Sequence, residues 1–528
     1  MAKKVSAGEH DFVVIANRLP VDRITGPDGS PHWRRSPGGL VTALAPIMQA
    51  AGGAWVGWHG APDEEIGEFD EAGIHQVPVP LSTRELRLYY EGFSNSTLWP
   101  LYHDVIVPPE FHRTWWVAYR EINARFARAA AAVAAPNATV WVHDYQLQLV
   151  PKMLREARPD LRIGFFNHIP FPPAEIFAQL PWRTRILEGL LGADLVGFQR
   201  ASDTANFLSA VRNYLGVTAR RAGVHVPGSD RISRAETHPI SIDASHISRL
   251  AADPAIIARA SQIRQELGDP DTVLLGVDRL DYTKGIRHRL KAYAELLEDE
   301  SVRVGQACLI QIASPSREKV DSYQQLREEV EGTVGRINGE YDSLAHTAVR
   351  YLHHSYPVEE MVALYLAADI MLVTPLRDGM NLVAKEYVVA RGADGGGRLV
   401  LSEFAGAADQ LKQAIIVNPH DIDGLKNAII DAVEMPQKDA RRRMSTMRRV
   451  VEGHDVSRWS RDFLISLGHP DPTPEAADRV GPDDEGPGSA GLGASERGAA
   501  ERGAAERGAS ARGTSDRGAA ARGAEGEA

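Results

Sequence analysis

The stretch DIMLVTPLRDGMNLVAKEY, residues 369–387, has the pattern of a buried β-strand followed by a turn and a helix. Residues 370–373 form an apolar run of strand length, and helical spacing resumes at Asn381 after a glycine turn. The first N–H groups of such a helix have no partner within it, so the turn suits a phosphate or a sugar hydroxyl. Glu386 follows Asp378 by about two helical turns and can face the same ligand. The alternative is an ordinary turn with a solvated acid at each end.

Strand-length apolar runs alternate with helical stretches on both sides of a break near residues 238–243. These runs are residues 11–18, 139–145, 162–170 and 194–199 before the break, and 272–280, 308–314, 369–375, 398–406 and 414–419 after it. This alternation indicates parallel sheets covered on both faces. We therefore predict an α/β fold of two Rossmann-like, doubly wound domains, residues 1–243 and 244–455, facing a cleft. Residues 456–470 are predicted to form a C-terminal helix that packs back on the first domain.

Length and composition restrict the class of protein. The 528 residues exceed what one core usually supports, and 43% of them are hydrophobic. The net charge of −11 argues against a nucleic-acid partner. The single cysteine, Cys308, excludes a disulfide framework and a cysteine-based metal site. No signal-peptide core and no stretch approaching ~20 apolar residues is present, so we expect a soluble cytoplasmic protein without a membrane partner.

The end of the sequence differs in composition from the rest. Within residues 471–528 an arginine followed by glycine recurs at every fifth position from Arg497 to Arg522. Such Gly-rich sequence with little apolar bulk is predicted to be a low-complexity, disordered tail. An RNA-binding role is conceivable, but Glu501, Glu506 and Asp516 offset the arginines and aromatic residues for base stacking are missing.

Polar side chains follow several of the predicted strands in both domains. Ligands of doubly wound sheets bind beyond the carboxyl ends of the strands, so we expect these side chains to share one site. A lone histidine or aspartate there is usually a structural, hydrogen-bonded residue. Several together, of types suited to sugars and phosphates, indicate a binding site. They are Arg18, Asp144, His168, Arg279, Lys284 and Arg317.

Arg279 and Lys284 lie on one predicted loop, DRLDYTKG, residues 278–285. Two cations on one loop, with Gly285 permitting a close turn, suit a diphosphate. They could stabilise the charge that develops on a leaving phosphate, as a metal ion does elsewhere. The alternative is a solvated basic loop.

Two further motifs suit a sugar ligand. Gly38 and Gly39 begin a predicted helix and would let the backbone approach a phosphate or a sugar, although a Gly-Gly turn alone is a weak signal. Tyr90 and Trp99, in YYEGFSNSTLWP, could pack on a sugar face or simply be core aromatics.

Several common motifs are missing from the sequence. It contains no G-x-x-x-x-G-K-[ST] loop for nucleoside triphosphate chemistry, and no G-x-G-x-x-G after the first strand for a nicotinamide cofactor. Asp269 and Asp271 resemble a metal-binding pair but precede a strand, so we interpret them as part of a turn. We therefore expect neither a cofactor nor a metal.

The chain resembles the trehalose-6-phosphate synthase family over residues 11–467. The motifs that carry the resemblance are NRLP, PGGL, SNSTLWP, WVHDYQL, GFFNHIPFP, VDRLDYTKG, GRINGEY, TPLRDGMNLVAKEY and SEFAGAA, in this order. The resemblance implies the two-domain GT-B architecture and a metal-independent, retaining transfer of glucose from a nucleotide sugar to glucose 6-phosphate. The products would be α,α-trehalose 6-phosphate and a nucleoside diphosphate, with a role in osmotic and desiccation protection.

The resemblance also implies roles for individual residues. The first domain would bind glucose 6-phosphate and the second the nucleotide sugar. The glucose 6-phosphate site would comprise Arg18, Tyr90, Trp99, Asp144 and Arg317. The nucleotide-sugar site would comprise Gly38, Gly39, Arg279, Lys284, Tyr356, Asp378, Leu382, Val383, Ala384, Lys385 and Glu386. The catalytic residues would be Arg279, Lys284, Asp378 and His168.

The resemblance leaves alternatives open. UDP-glucose is the default donor, but ADP-glucose or GDP-glucose is possible, since Glu386 would contact only the ribose. Retention can arise by attack from the leaving-group face or through a covalent intermediate on Asp378. A non-catalytic sugar-phosphate sensor and a transferase with another phosphorylated acceptor, such as glycerol phosphate, are the competing functions.

Family members often form dimers or tetramers. No phosphatase domain is expected after residue 470.

Overall fold

The computed structural model describes residues 8–25, 31–36, 39–220, 223–318, 320–392 and 395–469. The predicted tail, residues 471–528, and the predicted donor-loop residue Gly38 lie outside these residues. The described residues belong to one compact unit.

The first half of the chain forms, among the described residues, a ten-stranded sheet and a β-hairpin. The strands are β1 (His10–Arg18), β2 (Val21–Thr25), β3 (Pro31–Arg35), β4 (Ala54–Trp58), β5 (Phe69–Glu71), β6 (Ile74–Pro78), β7 (Ala134–His143), β8 (Arg162–Phe166), β9 (Leu195–Phe198), β10 (Ala219–Arg220), β11 (Gly223–His225) and β12 (Ile232–Thr237). β2 and β3 form the hairpin, and the sheet order is β10-β11-β12-β9-β8-β7-β1-β4-β6-β5. The inner strands are parallel, whereas β5, β10 and β11 pair antiparallel at the edges.

The second half forms a six-stranded sheet within the part of the chain that the structure describes. Its strands are β13 (Thr272–Arg279), β14 (Ala307–Ser314), β15 (Val349–Leu352), β16 (Ile370–Val373), β17 (Arg398–Ser402) and β18 (Ile415–Val417). They pair in parallel in the order β15-β14-β13-β16-β17-β18. Parallel neighbours require crossover connections, which helices provide.

Helices connect the strands in both halves. In the first half they are α1 (Gly39–Ala51), α2 (Thr83–Glu85), α3 (Trp99–Tyr102), α4 (Arg113–Val133), α5 (Val150–Ala157), α6 (Ala174–Phe177), α7 (Arg183–Leu190) and α8 (Ala201–Leu215). The others are α9 (Ala244–Ala251), α10 (Pro254–Glu266), α11 (Ile286–Glu298), α12 (Asp321–Tyr341), α13 (Val358–Ala367), α14 (Leu382–Arg391), α15 (Ile422–Glu434), α16 (Gln437–Glu452) and α17 (Val456–Leu467). A π-helix spans Leu86–Leu98, and 3-10 turns span Tyr145–Leu147, Tyr282–Lys284 and Gly406–Asp409.

Both faces of each sheet are buried. Successive side chains of a strand point to opposite faces, and in β1 Val13 packs in one hydrophobic core while its neighbour Val14 packs in another. In β16, Leu372 packs in the same core as Val13, and Met371 packs in the same core as Val14. Strands apolar on both faces are what the sequence predicted, and the predicted class of two doubly wound, mostly parallel sheets is confirmed.

The last helix, α17, packs against the first sheet. The Phe463 ring stacks on Trp141 of β7 with ring centroids 4.4 Å apart. Gly164 and Gly197 make room for it, because a Cβ there would lie 2.9 and 2.7 Å from the Phe463 ring. The Trp459 indole also donates to the carbonyl of His238, 3.1 Å away, in the segment that joins the two halves.

The predicted site residues follow from where strands end. β1 ends at Arg18, β13 ends at Arg279, and His168 comes two residues after the end of β8. The carboxyl ends of parallel strands meet at one edge of a sheet, which places Arg18 and His168 at one edge of the first sheet and Arg279 at the corresponding edge of the second. No helix of the described residues is long and apolar enough to cross a membrane.

Candidate active site

A cavity of about 760 Å³, here called the cleft, lies at the carboxyl ends of strands from both sheets. Its size falls in the usual range for small-molecule sites. Nine of the predicted site residues line it: Arg18, Tyr90, Asp144, His168, Arg279, Lys284, Asp378, Leu382 and Val383. Since the first four come from the first sheet's half and the rest from the second's, a ligand in the cleft would touch both.

Arg317 and Trp99 adjoin the cleft through Arg279. The Arg317 guanidinium lies over the Trp99 ring at 3.7 Å from its centroid, and the Arg279 guanidinium lies 5.2 Å from the same centroid. Arg317 also donates to the Tyr145 hydroxyl at 3.2 Å. Trp99 belongs to the first half and the two arginines to the second. The indole therefore supports two cations by cation–π contact where the halves meet.

Lys284 and Asp378 form a close ion pair in the cleft. The lysine Nζ donates to the carboxylate Oδ2 at 2.6 Å, and the Asn381 amide donates to the same oxygen at 3.3 Å. Burial alone would raise the pKa of Asp378, but Lys284 outweighs it, so the pKa is lowered. Gly285 allows this geometry, because at φ +67° its backbone favours glycine and a Cβ would lie 2.0 Å from the Thr374 carbonyl.

The first-sheet side of the cleft carries buried groups of shifted pKa. Burial raises the pKa of Asp144 to about 6, although its carboxylate accepts a hydrogen bond from the backbone N–H of His168 at 3.0 Å. Burial lowers the pKa of His168 to about 3 and also lowers that of His143. The two imidazoles meet at 3.1 Å, from His143 Nδ1 to His168 Nε2, so one nitrogen donates and the other accepts. Asp144 has φ +75°, a strained conformation that aims its side chain at the cleft.

The start of α14 enters the cleft only with its first residues. Asn381 caps the helix by accepting from the Ala384 N–H at 3.0 Å, and Leu382 and Val383 line the cleft. Lys385 instead donates to the Ile240 carbonyl at 2.6 Å, and burial lowers its pKa to about 7. Glu386 accepts from the Tyr365 hydroxyl at 2.7 Å. Neither Lys385 nor Glu386 is among the residues that line the cleft.

Two other predicted donor contacts are placed differently. Tyr356 lines a separate cavity of about 330 Å³, beside Arg259 and Glu360. Gly39 begins α1, and the next residue of that helix, Leu40, lines the cleft.

The sequence analysis gave no role to several polar residues that line the cleft. They are Asp22, His143, Gln146, Gln199, Asp278 and Asn381. A search of every polar residue at the strand ends would find His143, Gln146, Gln199 and Asp278. Asp22 lies within β2 and Asn381 caps α14, so that search would not find them. Asn17, the first residue of the NRLP motif, also lines the cleft and accepts from the Tyr89 hydroxyl at 2.9 Å. Within the described ranges, no three His, Cys, Asp or Glu side chains are grouped to hold a metal ion.

Comparison with known proteins agrees with this geometry. The model of glycosyltransferase family 20 matches residues 10–469. A trehalose-6-phosphate synthase of Mycobacterium avium (strain 104) is 55% identical over 482 residues, 89% of this chain and 98% of the relative. An α,α-trehalose-phosphate synthase (UDP-forming) from Burkholderia xenovorans, solved in complex with glucose-6-phosphate, is 34% identical with a TM-score of 0.79, covering 87% of this chain and 100% of that one.

A second solved structure, from E. coli and bound with UDP-2-fluoro glucose, is 37% identical with a TM-score of 0.78. The match covers 86% of this chain and 98% of that chain. The resemblance predicted from the sequence motifs is thereby confirmed. The chain belongs to glycosyltransferase family 20.

Proposed function

We propose that this glycosyltransferase moves glucose from UDP-glucose to glucose 6-phosphate, giving α,α-trehalose 6-phosphate and UDP with retained configuration at the donor carbon. The observation that carries the proposal is that one cleft gathers cations from both sheets: Arg18 after β1, and Arg279 with Lys284 after β13. Two phosphorylated ligands need two such cationic positions. The relatives named above, one UDP-forming and holding glucose-6-phosphate, support these two substrates.

The acceptor would bind on the first-sheet side. Arg18 and Arg317, with the Tyr90 hydroxyl, would grip its phosphate, and the Asp144 carboxylate would accept hydrogen bonds from its hydroxyls. The Arg18 side chain is half exposed and ion-paired with Asp22 at 3.1 Å, so it can turn to a phosphate without leaving a buried charge unpaired.

The donor would bind on the second-sheet side. Arg279 and Lys284 would hold its diphosphate, and the N–H groups at the start of α14 would hold the nucleotide. Its glucose would lie between Asp378 and the neutral imidazole of His168. Since burial keeps His168 uncharged at neutral pH, it would contact sugar hydroxyls by hydrogen bonds rather than by charge.

The transfer would proceed on the leaving-group face. The acceptor hydroxyl oxygen attacks the donor anomeric carbon, the bond from that carbon to the phosphate oxygen breaks, and the hydroxyl proton passes to the departing phosphate. Arg279 and Lys284 would stabilise the negative charge that develops there. The tight pairing of Asp378 with Lys284 favours this route over a covalent one, because an ion-paired carboxylate is a poor nucleophile.

The decisive experiment is turnover with UDP-, ADP- and GDP-glucose, each with and without glucose 6-phosphate. We expect UDP release that depends on the acceptor, and trehalose 6-phosphate identified by mass spectrometry. Glycerol phosphate serves as the control acceptor and should give none. The absence of nucleoside diphosphate release with every donor would overturn the proposal in favour of a non-catalytic sensor.

A further inference from the structure

Asp281 is a fully buried carboxylate at the centre of the cationic side of the cleft. It follows β13 by two residues and caps the 3-10 turn Tyr282–Lys284. Sequence analysis included it in the motif DRLDYTKG without giving it a role. Nothing assigns it to substrate, and it does not line the cleft itself.

Each oxygen of Asp281 has a separate set of partners. Oδ2 accepts from Arg317 Nη1 at 2.9 Å and from the Tyr323 hydroxyl at 3.2 Å, and it lies 3.8 Å from Arg279 Nη2. Oδ1 accepts from the backbone N–H and the hydroxyl of Thr283, at 3.0 and 2.9 Å. One oxygen therefore contacts two arginines, and the other fixes the turn that ends at Lys284.

The charge balance explains why this carboxylate can be buried. An unpaired buried carboxylate would be strongly unfavourable, and burial by itself would raise the pKa of Asp281. Arg317, Arg279 and Lys284 outweigh burial and lower that pKa, so the group is ionised at neutral pH. Conversely, the three cations would repel one another without it.

We propose that Asp281 is the positioning residue that holds the acceptor-side Arg317 and the donor-side Arg279 and Lys284 in one fixed arrangement. The proposal rests on the function proposed above. It makes the acceptor phosphate and the donor diphosphate sites interdependent, because a single carboxylate orients a cation of each. Asp281 acts only through these side chains and touches neither substrate.

The first test is Asp281→Asn, which keeps the shape and the Oδ1 acceptor for Thr283 but removes the charge and presents an N–H₂ group to Arg317. We expect kcat/KM for glucose 6-phosphate to fall at least 100-fold, with a tenfold or greater rise in KM and a smaller rise in KM for UDP-glucose. The matched control is Asp369→Asn, whose carboxylate pairs with Arg264 at 2.8 Å and the Val273 N–H at 2.9 Å, at the opposite ends of the strands.

The control separates positioning from general stability. Asp369→Asn is expected to lower the melting temperature while leaving both KM values within twofold of the wild type. If Asp281→Asn lowers the melting temperature but keeps wild-type KM and kcat, the proposal is overturned. If Asp281→Asn does not fold, Tyr323→Phe is the second variant: it removes a hydroxyl that donates to Oδ2 and accepts from Arg317. It is expected to raise KM for glucose 6-phosphate three- to tenfold, and no change would overturn the proposal.

A double-mutant cycle tests whether Asp281 acts through Arg317. In the Arg317→Ala background Asp281 has lost its closest cation but still faces Arg279 and fixes the turn of Lys284, so adding Asp281→Asn should lower kcat/KM by a clearly smaller factor than in the wild type and should raise the melting temperature. Multiplicative losses would contradict the proposal. Failure of the wild type to make product would instead contradict the proposed function, so the two failures are distinguishable.

Discussion

Burial affects the pKa values of titratable groups differently on the two sides of the cleft. On the first-sheet side burial determines the protonation of the titratable groups: it lowers the pKa of His168 to about 3 and raises that of Asp144 to about 6. On the second-sheet side cations outweigh burial at Asp281 and Asp378, whose pKa values are both lowered, whereas burial still raises the pKa of Asp278. At neutral pH the imidazoles of the first side are therefore uncharged while Asp144 is ionised, whereas the carboxylates Asp281 and Asp378 of the second side are paired with cations.

This difference arises from side chains and not from architecture. Both sides are carboxyl ends of parallel strands, and the same rule predicts a site at each. The second side suits the diphosphate of a leaving group, where negative charge develops during transfer. The first side, with its uncharged imidazoles and the Asp144 carboxylate, suits hydroxyl groups, which are recognised by directed hydrogen bonds. Substitutions on the two sides should accordingly differ in kind: loss of turnover on the second-sheet side and altered pH dependence on the first-sheet side.

The largest effect is expected for Lys284→Ala. Loss of a cation from a developing charge typically costs about 10²–10³ in kcat, and here the buried Asp378 also loses its partner. Steady-state release of UDP gives kcat directly. The matched control is Arg287→Ala on α11, whose exposed guanidinium pairs with Glu329 at 2.7 Å; its kcat should stay within twofold. Wild-type turnover by Lys284→Ala would refute its assignment to the diphosphate.

On the first-sheet side, Asp144→Asn should lower activity and raise stability. The folded protein holds this carboxyl with a pKa of about 6, above its ordinary value of 3.8. Below about pH 4 the group is protonated in both states and contributes nothing, whereas above pH 6 the folded protein carries a buried charge. Its stability therefore falls as pH rises from about 4 to 6, by on the order of 1–3 kcal/mol. Asp144→Asn should remove that fall.

Thermal unfolding at pH 4 and pH 8, with kcat/KM profiled between them, checks this prediction. Wild-type activity should decline as pH drops through about 6, because a protonated Asp144 accepts hydrogen bonds poorly. Asp203→Asn is the matched control, since burial also raises the pKa of Asp203 to about 6 but the residue does not line the cleft. Asp203→Asn should change the pH dependence of stability, but its activity should still decline as pH drops through about 6. If kcat/KM of Asp144→Asn declined below pH 6 as it does in the wild type, the proposed role of Asp144 in binding the acceptor would be contradicted.

Residue type and strand-end position were enough to predict the cleft, but not the direction of every side chain. Arg279, Lys284 and Asp378 lie where the strand-end rule expects them. Glu386 and Tyr356 do not line the cleft. Helical periodicity could not show that Glu386 turns to its neighbour Tyr365, and no periodic pattern covers Tyr356, which precedes α13 and lines a separate cavity.

Contacts between residues far apart in the chain could not be predicted from the sequence either. The π-helix Leu86–Leu98 carries Tyr90 and ends beside Trp99, yet its five-residue hydrogen-bond period has no clear sequence pattern. Asp281 and Arg317 are 36 positions apart, and only the completed sheet brings them together. Gly379 is a third case: a Cβ there would lie 2.4 Å from the His168 carbonyl, a contact between the two halves that the turn motif alone does not reveal.

The smallest effect is expected where the two halves meet at the surface. Arg200 binds Asp409 through two hydrogen bonds of 2.7 and 2.9 Å, but the Asp409 side chain is 48% exposed. Exposed pairs are worth roughly 0–1 kcal/mol, so Arg200→Ala should lower the melting temperature by only about 1–2 °C and change kcat less than twofold. Arg303→Ala, which breaks an exposed pair with Glu300 inside the second half, is the control. If Arg200→Ala reduced kcat tenfold at unchanged stability, the contact between the halves would limit turnover. The residues on the two sides of the cleft would then not account for turnover by themselves.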